Sequence, residues 1–303
     1  ESHGYSVGII SQPDWKNPDS VSVLGEPRLG FLVCGGNMDS MVNHYTAARR
    51  RRSDDAYTPD GRAGMRPDMP TIVYTRILKQ LYPETPVIIG GIEASLRRLT
   101  HYDYWKDCPQ PSILASSGAD LLVYGMGEKP LTDICRMLKK GVPFYSLTNV
   151  PQTVVIRRQG EQVAGNKKWQ TLQLHSHETC LQDKKKYAEN FRHIEEESNS
   201  VEAARLIQHL GNDQIIVNPP YPPLTTKELD AVYALPFTRL PHPRYKGKEI
   251  PAYNMIRHSV TMHRGCFGGC AFCTISAHQG KFIISRSEES ILQELDRITQ
   301  MPD

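Results

Sequence analysis

Residues 262–273 read Met-His-Arg-Gly-Cys-Phe-Gly-Gly-Cys-Ala-Phe-Cys and bring three cysteines close together in the chain. Cys266, Cys270 and Cys273 have the spacing C-x3-C-x2-C. Thiolates are soft metal ligands, and three of them so near in sequence reach one metal centre only if the backbone curls tightly around it. We predict that the two glycines between the first and second cysteines permit that curl by taking positive φ values.

The number of thiols in the motif indicates what such a metal centre does. A 4Fe-4S cluster needs four ligands, and this motif supplies three, so one iron is left open. An open coordination position is typical of a metal that carries out chemistry rather than one that only holds a fold. Two alternatives compete with this interpretation. A structural zinc site would recruit His263 or His278 as a fourth ligand, and a ferredoxin-like electron carrier would need a fourth cysteine nearby.

The segments on either side of the cysteines predict a strand, a loop and a helix in that order. Residues 256–262 form a β-rich run that ends at the loop. Ser285 followed three residues later by Glu288 has the capping-box pattern of a helix start. Apolar side chains then recur at helical spacing, at Ile291, Leu292, Leu295 and Ile298.

The first half of the chain alternates short apolar runs with amphipathic segments. The predicted strands are residues 5–11, 29–34, 87–89 and 121–124, each typical of a buried parallel strand. Helices are predicted at residues 70–82 and 130–140. This βαβ order predicts a doubly wound, Rossmann-like α/β domain.

Glycines follow three of these predicted strands. Because ligands of open α/β sheets bind at the carboxyl ends of the strands, we predict a binding crevice there. Its expected lining is Gly90, Gly91, Gly125, Gly127 and Glu128, with Gly35 and Gly36 on the same edge of the sheet.

Taken together, these features resemble the YgiQ-type family of radical S-adenosylmethionine (SAM) proteins, over essentially the whole chain. The resemblance is carried by the cysteine motif and by residues 90–98, 235–243 and 264–287. It implies a Rossmann-like, cobalamin-binding-type domain followed by the start of a partial (β/α)6 barrel. It also implies an enzyme whose 4Fe-4S cluster, held by the three cysteines, cleaves SAM reductively to a 5′-deoxyadenosyl radical.

The same resemblance implies further partners and site residues. Phe272 occupies the place of an aromatic residue that lies against the SAM adenine, and the electron would come from a donor such as flavodoxin or ferredoxin. Cobalamin is possible but not favoured: no Asp-x-His-x-x-Gly motif occurs in the chain, and the place expected for it follows the first strand, which is expected to be missing. A cobalamin-dependent radical SAM methyltransferase therefore stays an alternative, as does a non-catalytic zinc or iron-sulfur module. The substrate is left open.

The expected domain organisation has three parts. Residues 1–150 form the Rossmann-like domain, residues 151–255 form a linking region with a helix at 177–198 and proline-rich connections, and residues 256–303 begin the barrel. Residues 1–4 look like the tail of a helix that ends at a glycine, so we expect a missing first strand upstream and missing barrel strands downstream.

Composition adds little to this picture. The chain of 303 residues has a net charge of +3 and 39% hydrophobic residues, values that point to neither a nucleic-acid nor a membrane partner. The one basic run, Arg49 to Arg52, leaves an RNA or phosphate contact open. Seven cysteines, an odd number, suit a reducing compartment and favour the cytoplasm.

Overall fold

A computed structural model describes residues 1–163 and 165–301 of the chain. Its strands, in chain order, are β1 Phe31–Cys34, β2 Val87–Gly90, β3 His101–Asp103, β4 Cys108–Gln110, β5 Leu121–Val123, β6 Thr153–Arg157, β7 Thr171–Gln173, β8 Arg205–Leu210, β9 Asp213–Val217, β10 His263–Arg264 and β11 Ile284–Ser285.

The α-helices are α1 Ser40–His44, α2 Pro70–Leu81, α3 Gly91–Leu96, α4 Ile113–Ser117, α5 Glu128–Lys139, α6 His177–Gln182, α7 Lys184–Ser198, α8 Thr226–Tyr233, α9 Pro251–Ile256, α10 Ile275–Gln279 and α11 Glu288–Thr299. In the described part of the chain, no helix is both long and apolar enough to span a lipid bilayer.

Seven strands form one mixed sheet in the order β1-β2-β5-β6-β9-β8-β7. The predicted parallel arrangement is confirmed for β1, β2 and β5, which pair in parallel. The sheet as a whole is mixed, since β6 runs antiparallel to both of its neighbours and β8 antiparallel to β9. The predicted linking region therefore contributes four strands, β6 to β9, to the same sheet as the Rossmann-like half.

Side chains alternate between two layers of core because successive strand residues point to opposite faces of the sheet. On one face, Val87 and Ile89 pack with Leu78 of α2 and Leu114 of α4. On the other face, Ile88 packs with residues that include Ile134 of α5. Helices thus cover both faces of the parallel half, as the βαβ order predicts.

Residues 5–11 do not form the predicted strand. They run without regular structure along a groove of about 880 Å³ that is lined on its other side by β1, the edge strand of the sheet. A strand exists only where a neighbour takes its backbone hydrogen bonds, and within residues 1–163 and 165–301 no strand pairs with residues 5–11. Val7 and Ile9 consequently stay 51% and 67% exposed. The predicted helix tail at residues 1–4 is a single turn, closed by the Gly4 N–H to the Glu1 carbonyl at 2.8 Å.

Other predictions around the cysteines were wrong in detail. Residues 256–262 are not a strand: α9 ends at Ile256 and regular pairing starts only at β10. The cap of α11 is Ser287, whose hydroxyl accepts the Ser290 N–H at 3.2 Å, whereas Ser285 lies in β11. The predicted helix at residues 177–198 is divided into α6 and α7 by Asp183, whose side chain caps α7.

A buried ionic network fixes the long loop between β1 and α2. Asp55 accepts two hydrogen bonds from Arg66, both at 2.8 Å. His44, itself buried, contacts Asp68 through Nδ1 at 2.8 Å and lies 3.6 Å from Asp55 through Nε2. Asp55 and Asp68 raise the pKa of His44 above its ordinary value of 6.5, although burial and Arg66 act in the opposite direction.

We predict that this network makes stability depend on pH through His44. Because its pKa is raised on folding, its contribution is complete below pH 6.5 and is lost as pH rises through the folded-state value. Urea unfolding of the wild type should therefore show stability falling as pH rises above 6.5, and His44→Gln should flatten that dependence. His209→Gln, at an exposed position on β8, serves as the control. An unchanged pH slope in His44→Gln would contradict the assignment.

Candidate functional site

The glycine-ended strands meet at one edge of the sheet. β1, β2 and β5 are adjacent and parallel, with Cys34 paired to Gly90 and Ile89 paired to Leu122. The residues that follow each strand, including the predicted crevice lining, therefore lie along the same carboxyl edge. Ligand binding by these glycines stays a prediction.

The Glu93 carboxylate packs against the chain directly after β1. It is fully buried, and its carboxylate accepts the Ser40 N–H at 3.0 Å and the Thr71 hydroxyl at 2.8 Å. A Cβ on Gly35 would lie 2.8 Å from the Glu93 carboxyl carbon, so the chain can pass the carboxylate only as glycine. Glu93, in the segment of residues 90–98, thus restricts which residue can follow β1 at the carboxyl edge of the sheet. The sequence alone did not reveal this role.

The hydroxyl of Ser95 connects the glycine edge to the segment that follows the cysteines. It donates to the Gly91 carbonyl and accepts the Gly125 N–H, each at 2.9 Å. His278 of α10 contacts the same oxygen through Nδ1 at 2.9 Å. Since the single hydroxyl hydrogen is used by Gly91, His278 carries its proton on Nδ1 and donates it to Ser95. Burial and nearby Arg98 lower the pKa of His278, which favours this neutral form.

The backbone of Gly125 forms the surface on which α10 rests. Gly125 has a φ of +68°, and a Cβ there would lie 3.0 Å from the His278 carbonyl oxygen. The Gln152 side chain braces this loop by donating to the carbonyls of Tyr124 at 2.7 Å and Met126 at 2.6 Å. The loop after β5 is therefore held in place before any ligand arrives.

A charged pair fixes the other end of the cysteine segment. Arg264, which lies two residues before the first cysteine, donates to the Glu128 carboxylate at 2.6 Å and stacks over the Tyr233 ring at 5.1 Å. Glu128 begins α5, where the helix N-terminus also favours a negative charge. The predicted crevice residue Glu128 is thus already ion-paired to the cysteine segment.

The two ends of the cysteine loop are held together by backbone hydrogen bonds. β10 and β11 pair antiparallel, and the Cys266 N–H donates to the Gly280 carbonyl at 3.1 Å. The sharp curl occurs at Gly265, with a φ of +83°, where a Cβ would overlap the carbonyl oxygen of Phe282. The prediction of positive φ at Gly268 and Gly269 was therefore wrong, because the hairpin already reverses the chain.

The three thiols lie on this loop with access to solvent. Cys266 and Cys273 are half-buried and Cys270 is exposed. A Cβ on Gly268 would lie 3.4 Å from the sulfur of Cys266 and 3.9 Å from that of Cys270, so these two thiols flank the same glycine. Within the described residues no three His, Cys, Asp or Glu side chains are already grouped around a metal position. The soft donor set fits an iron-sulfur cluster, and binding would draw the sulfurs together.

The aromatic ring and the histidines near the cysteines have different surroundings. Phe272 is 90% exposed. Its contact with the SAM adenine stays a prediction. His263 is exposed on β10, whereas His278 is bonded to Ser95 at the sheet edge. Of the two candidate zinc ligands, His278 is therefore already engaged elsewhere.

Other arginines of the segments quoted above are structural. Arg286 is buried, stacks over the Tyr233 ring at 4.2 Å and pairs with Glu294 of α11. Arg239 reaches the same carboxylate from the proline-rich connection and also donates to the Ser259 carbonyl at 2.8 Å. These contacts fix α11 behind the cysteine loop and leave Arg286 unable to meet a ligand.

Comparisons with known proteins show the family of this chain. A family model described as radical SAM N-terminal matches residues 1–259, a span that ends just before the cysteine segment. The chain is 58% identical to a UPF0313 protein of Bacteroides thetaiotaomicron and 59% identical to one of Porphyromonas gingivalis. All of this chain is covered in both cases, but only 50% and 48% of the relatives, so the chain spans about half their length.

The match defines the class as the N-terminal α/β domain associated with radical SAM proteins. The chain belongs to the UPF0313 family. Among solved structures, the radical SAM methyltransferase TsrM of Kitasatospora setae, with cobalamin and a 4Fe-4S cluster bound, aligns with 93% of this chain and 37% of its own. The TM-score is 0.46 at 14% identity, a likeness too distant to support a functional argument.

We predict that Gly125→Ala detaches α10 from the sheet edge. Gly118→Ala is the matched control, because Gly118 has a similar φ of +77° but open space around its Cβ position. Both variants carry about 1 kcal/mol of backbone strain, and only Gly125→Ala adds about 1–3 kcal/mol of overlap. Hydrogen exchange in residues 265–280 should accelerate in Gly125→Ala alone. Equal exchange in both variants would contradict the docking of α10 on Gly125.

Proposed function

We propose that the full-length protein is a radical SAM enzyme, and that this chain supplies its N-terminal domain together with the cluster-binding loop. The observation that carries the proposal is the attachment of the cysteine loop to the carboxyl edge of the sheet. One end of the loop is tied by Arg264 to Glu128, and the other by His278 to Ser95. The loop is thereby positioned next to the edge at which open α/β sheets bind ligands.

The residues divide into three roles under this proposal. Cys266, Cys270 and Cys273 would hold a 4Fe-4S cluster, and Phe272 would cover the SAM adenine. When bound, the cluster would supply the electron that cleaves SAM and gives a 5′-deoxyadenosyl radical. The edge residues Gly90, Gly91, Gly125, Gly127 and Glu128 would form one wall of the reaction chamber.

The residues of the protein would hold the reacting groups in position and exclude water from them. Hydrogen bonds already join Gly125 to Ser95, and Gln152 to the Tyr124 carbonyl. The sheet-edge wall of the chamber therefore has little freedom to rearrange when a ligand binds, which favours a fixed geometry for a reactive intermediate. Exclusion of water matters equally, because a radical that meets solvent is quenched in side reactions. The long relatives extend well beyond this chain, and the remaining wall of the chamber would come from that additional length.

Metal analysis of the full-length protein tests the ligand assignment. After anaerobic reconstitution, Cys270→Ala should lose most of its iron and sulfide, because a cluster with two protein thiolates is poorly held. Cys135→Ala is the control, since Cys135 is a half-buried thiol of α5 whose pKa is raised by burial. Equal loading of the two variants would refute the cluster site, and zinc without iron would favour a non-catalytic module.

Product analysis tests the reaction itself. The reconstituted full-length protein with SAM and dithionite should form 5′-deoxyadenosine, whereas the 303-residue chain alone should not exceed background. The physical reason is that one short hairpin, β10 with β11, cannot enclose a cavity against water. Robust cleavage by the short chain would show that the additional length is not needed to shelter the radical.

A further inference from the structure

The groove of about 880 Å³ beside β1 is bordered by backbone on two sides. Residues 5–13 line one side, and residues 29–37, which include β1, line the other. Pockets for small ligands have similar volumes, about 300–1,000 Å³, so size alone does not identify the occupant. The chemistry of the two sides decides what fits between them.

The β1 side presents unpaired backbone groups to the groove. β1 lies at the end of the sheet, and among residues 1–163 and 165–301 its only partner strand is β2. The Phe31 N–H donates to the Pro86 carbonyl at 2.8 Å, so Phe31 turns its backbone groups toward β2. Because strand residues turn these groups to alternate sides, the N–H and C=O of Leu32 point away from β2. A strand in the groove would take up these bonds.

The opposite side of the groove is unpaired as well. Of the described residues, none forms a hydrogen bond with the backbone of residues 5–10. The segment is anchored just beyond, where the Ser11 hydroxyl lies 2.9 Å from the Tyr245 hydroxyl. The Tyr74 hydroxyl also donates to the Pro13 carbonyl at 3.1 Å. Residues 5–10 are therefore held beside the groove with backbone donors and acceptors available to a strand that enters it.

Apolar side chains from both faces of the sheet line the groove. Tyr74 and Leu78 of α2 belong to the core on one face, and Ile134 and Leu138 of α5 belong to the core on the other. A strand in the groove would thus be covered on both of its faces, as the strands of buried parallel sheets are. Such strands are nearly continuous runs of apolar residues. The groove therefore fits an apolar run of polypeptide.

The groove also concentrates large apolar side chains that are exposed to water. They include Val7 and Ile9 on one side, Leu29 and Leu32 on the other, and Leu240 from the proline-rich connection. A contiguous exposed apolar patch marks an interaction site, because soluble monomers rarely leave a large one open. Removing these side chains from water would drive the docking of an apolar strand.

The length of the relatives supplies a source for this strand. The chain covers only 50% and 48% of the two UPF0313 proteins, so each extends about as far again. A segment of the same polypeptide reaches the groove at high effective concentration. A second copy that joined β1 to β1 would pair with one side of the groove only, whereas an inserted strand pairs with both. The two-sided groove favours the inserted strand.

We propose that an apolar β-strand from the part of the full-length protein outside residues 1–303 occupies this groove. It lies between β1 and residues 5–10 and forms backbone hydrogen bonds with both. The sheet then gains two strands, the inserted one and residues 5–10 themselves, and β1 becomes an internal strand. The alternative fate of residues 5–10, an irregular segment beside an open edge, belongs to the chain without this strand.

Residue-resolved hydrogen exchange in the full-length protein tests the insertion. The amides of Leu32 and of residues 5–10 should exchange at least about a hundredfold more slowly than in an unstructured peptide, because both take part in the enlarged sheet. The Phe31 amide, already bonded to Pro86, reports whether β1 itself is intact. Val23 is the unprotected control, since it is as exposed as Ile9, at 67%, and does not line the groove.

The outcome that overturns the proposal is specific to the groove. Protection at Phe31 together with fast exchange at Leu32 and throughout residues 5–10 would show that β1 is an open edge in the full-length protein as well. No variant is needed for this measurement, and no cluster has to be present.

A matched pair of substitutions tests the burial of the groove. Val7 and Val42 are both 51% exposed, but only Val7 lines the groove, whereas Val42 lies on α1. In the full-length protein, Val7→Asp should lower the Tm by about 4 °C or more, because the inserted strand covers this position. Val42→Asp should shift the Tm by less than about 2 °C, as a surface substitution does. Equal shifts would overturn the burial of Val7.

Dilution distinguishes an inserted strand from a second copy. A strand of the same polypeptide protects Leu32 and residues 5–10 equally at every protein concentration. Protection should therefore persist over an about hundredfold dilution, since only an intermolecular contact depends on concentration. Loss of protection on dilution would assign the groove to a second copy of the protein and overturn the proposal.

Discussion

One hydroxyl group holds the two functional halves of the chain together. Ser95 joins the first turn of α3, the loop after β5 and the helix after the cysteines through three contacts of 2.9 Å. Ser95 and His278 are 183 residues apart in sequence. Because Ser95 is buried, a broken contact would leave a polar group without water to replace it. The position of the cysteine loop relative to the sheet follows from this one side chain and from the Arg264–Glu128 pair.

Buried arginine–carboxylate pairs are the second organising element. Arg66 pairs with Asp55, Arg97 with Asp39, and Arg286 with Glu294, all buried. Removing either partner of such a pair leaves an unpaired buried charge, so each pair specifies one arrangement of its loop. Arg98 departs from this pattern, since among the described residues no salt bridge is formed with it although it is adjacent in sequence to Arg97.

The correct predictions from sequence concern features that are set locally. The strands β1, β2 and β5 are apolar runs that end in glycine, and the cysteine spacing is visible without a fold. The hairpin of β8 and β9 was missed although Gly211 and Asn212 between two apolar runs are a recognisable turn. Residues 5–11 were assigned wrongly because a strand depends on its neighbour. The buried contacts of Glu93 and Ser95 were beyond prediction, since only tertiary structure shows which polar groups meet.

The free edge of β1 has a consequence for how the molecule behaves at high concentration. Its outer N–H and C=O groups pair with no strand in the described part of the chain, and Leu32 on it is 60% exposed. An open, apolar edge of this kind is a template for the same edge of another molecule. Two copies can join β1 to β1, and the sheet then continues from one molecule into the next. A segment that covered this edge would therefore also protect the molecule against self-assembly.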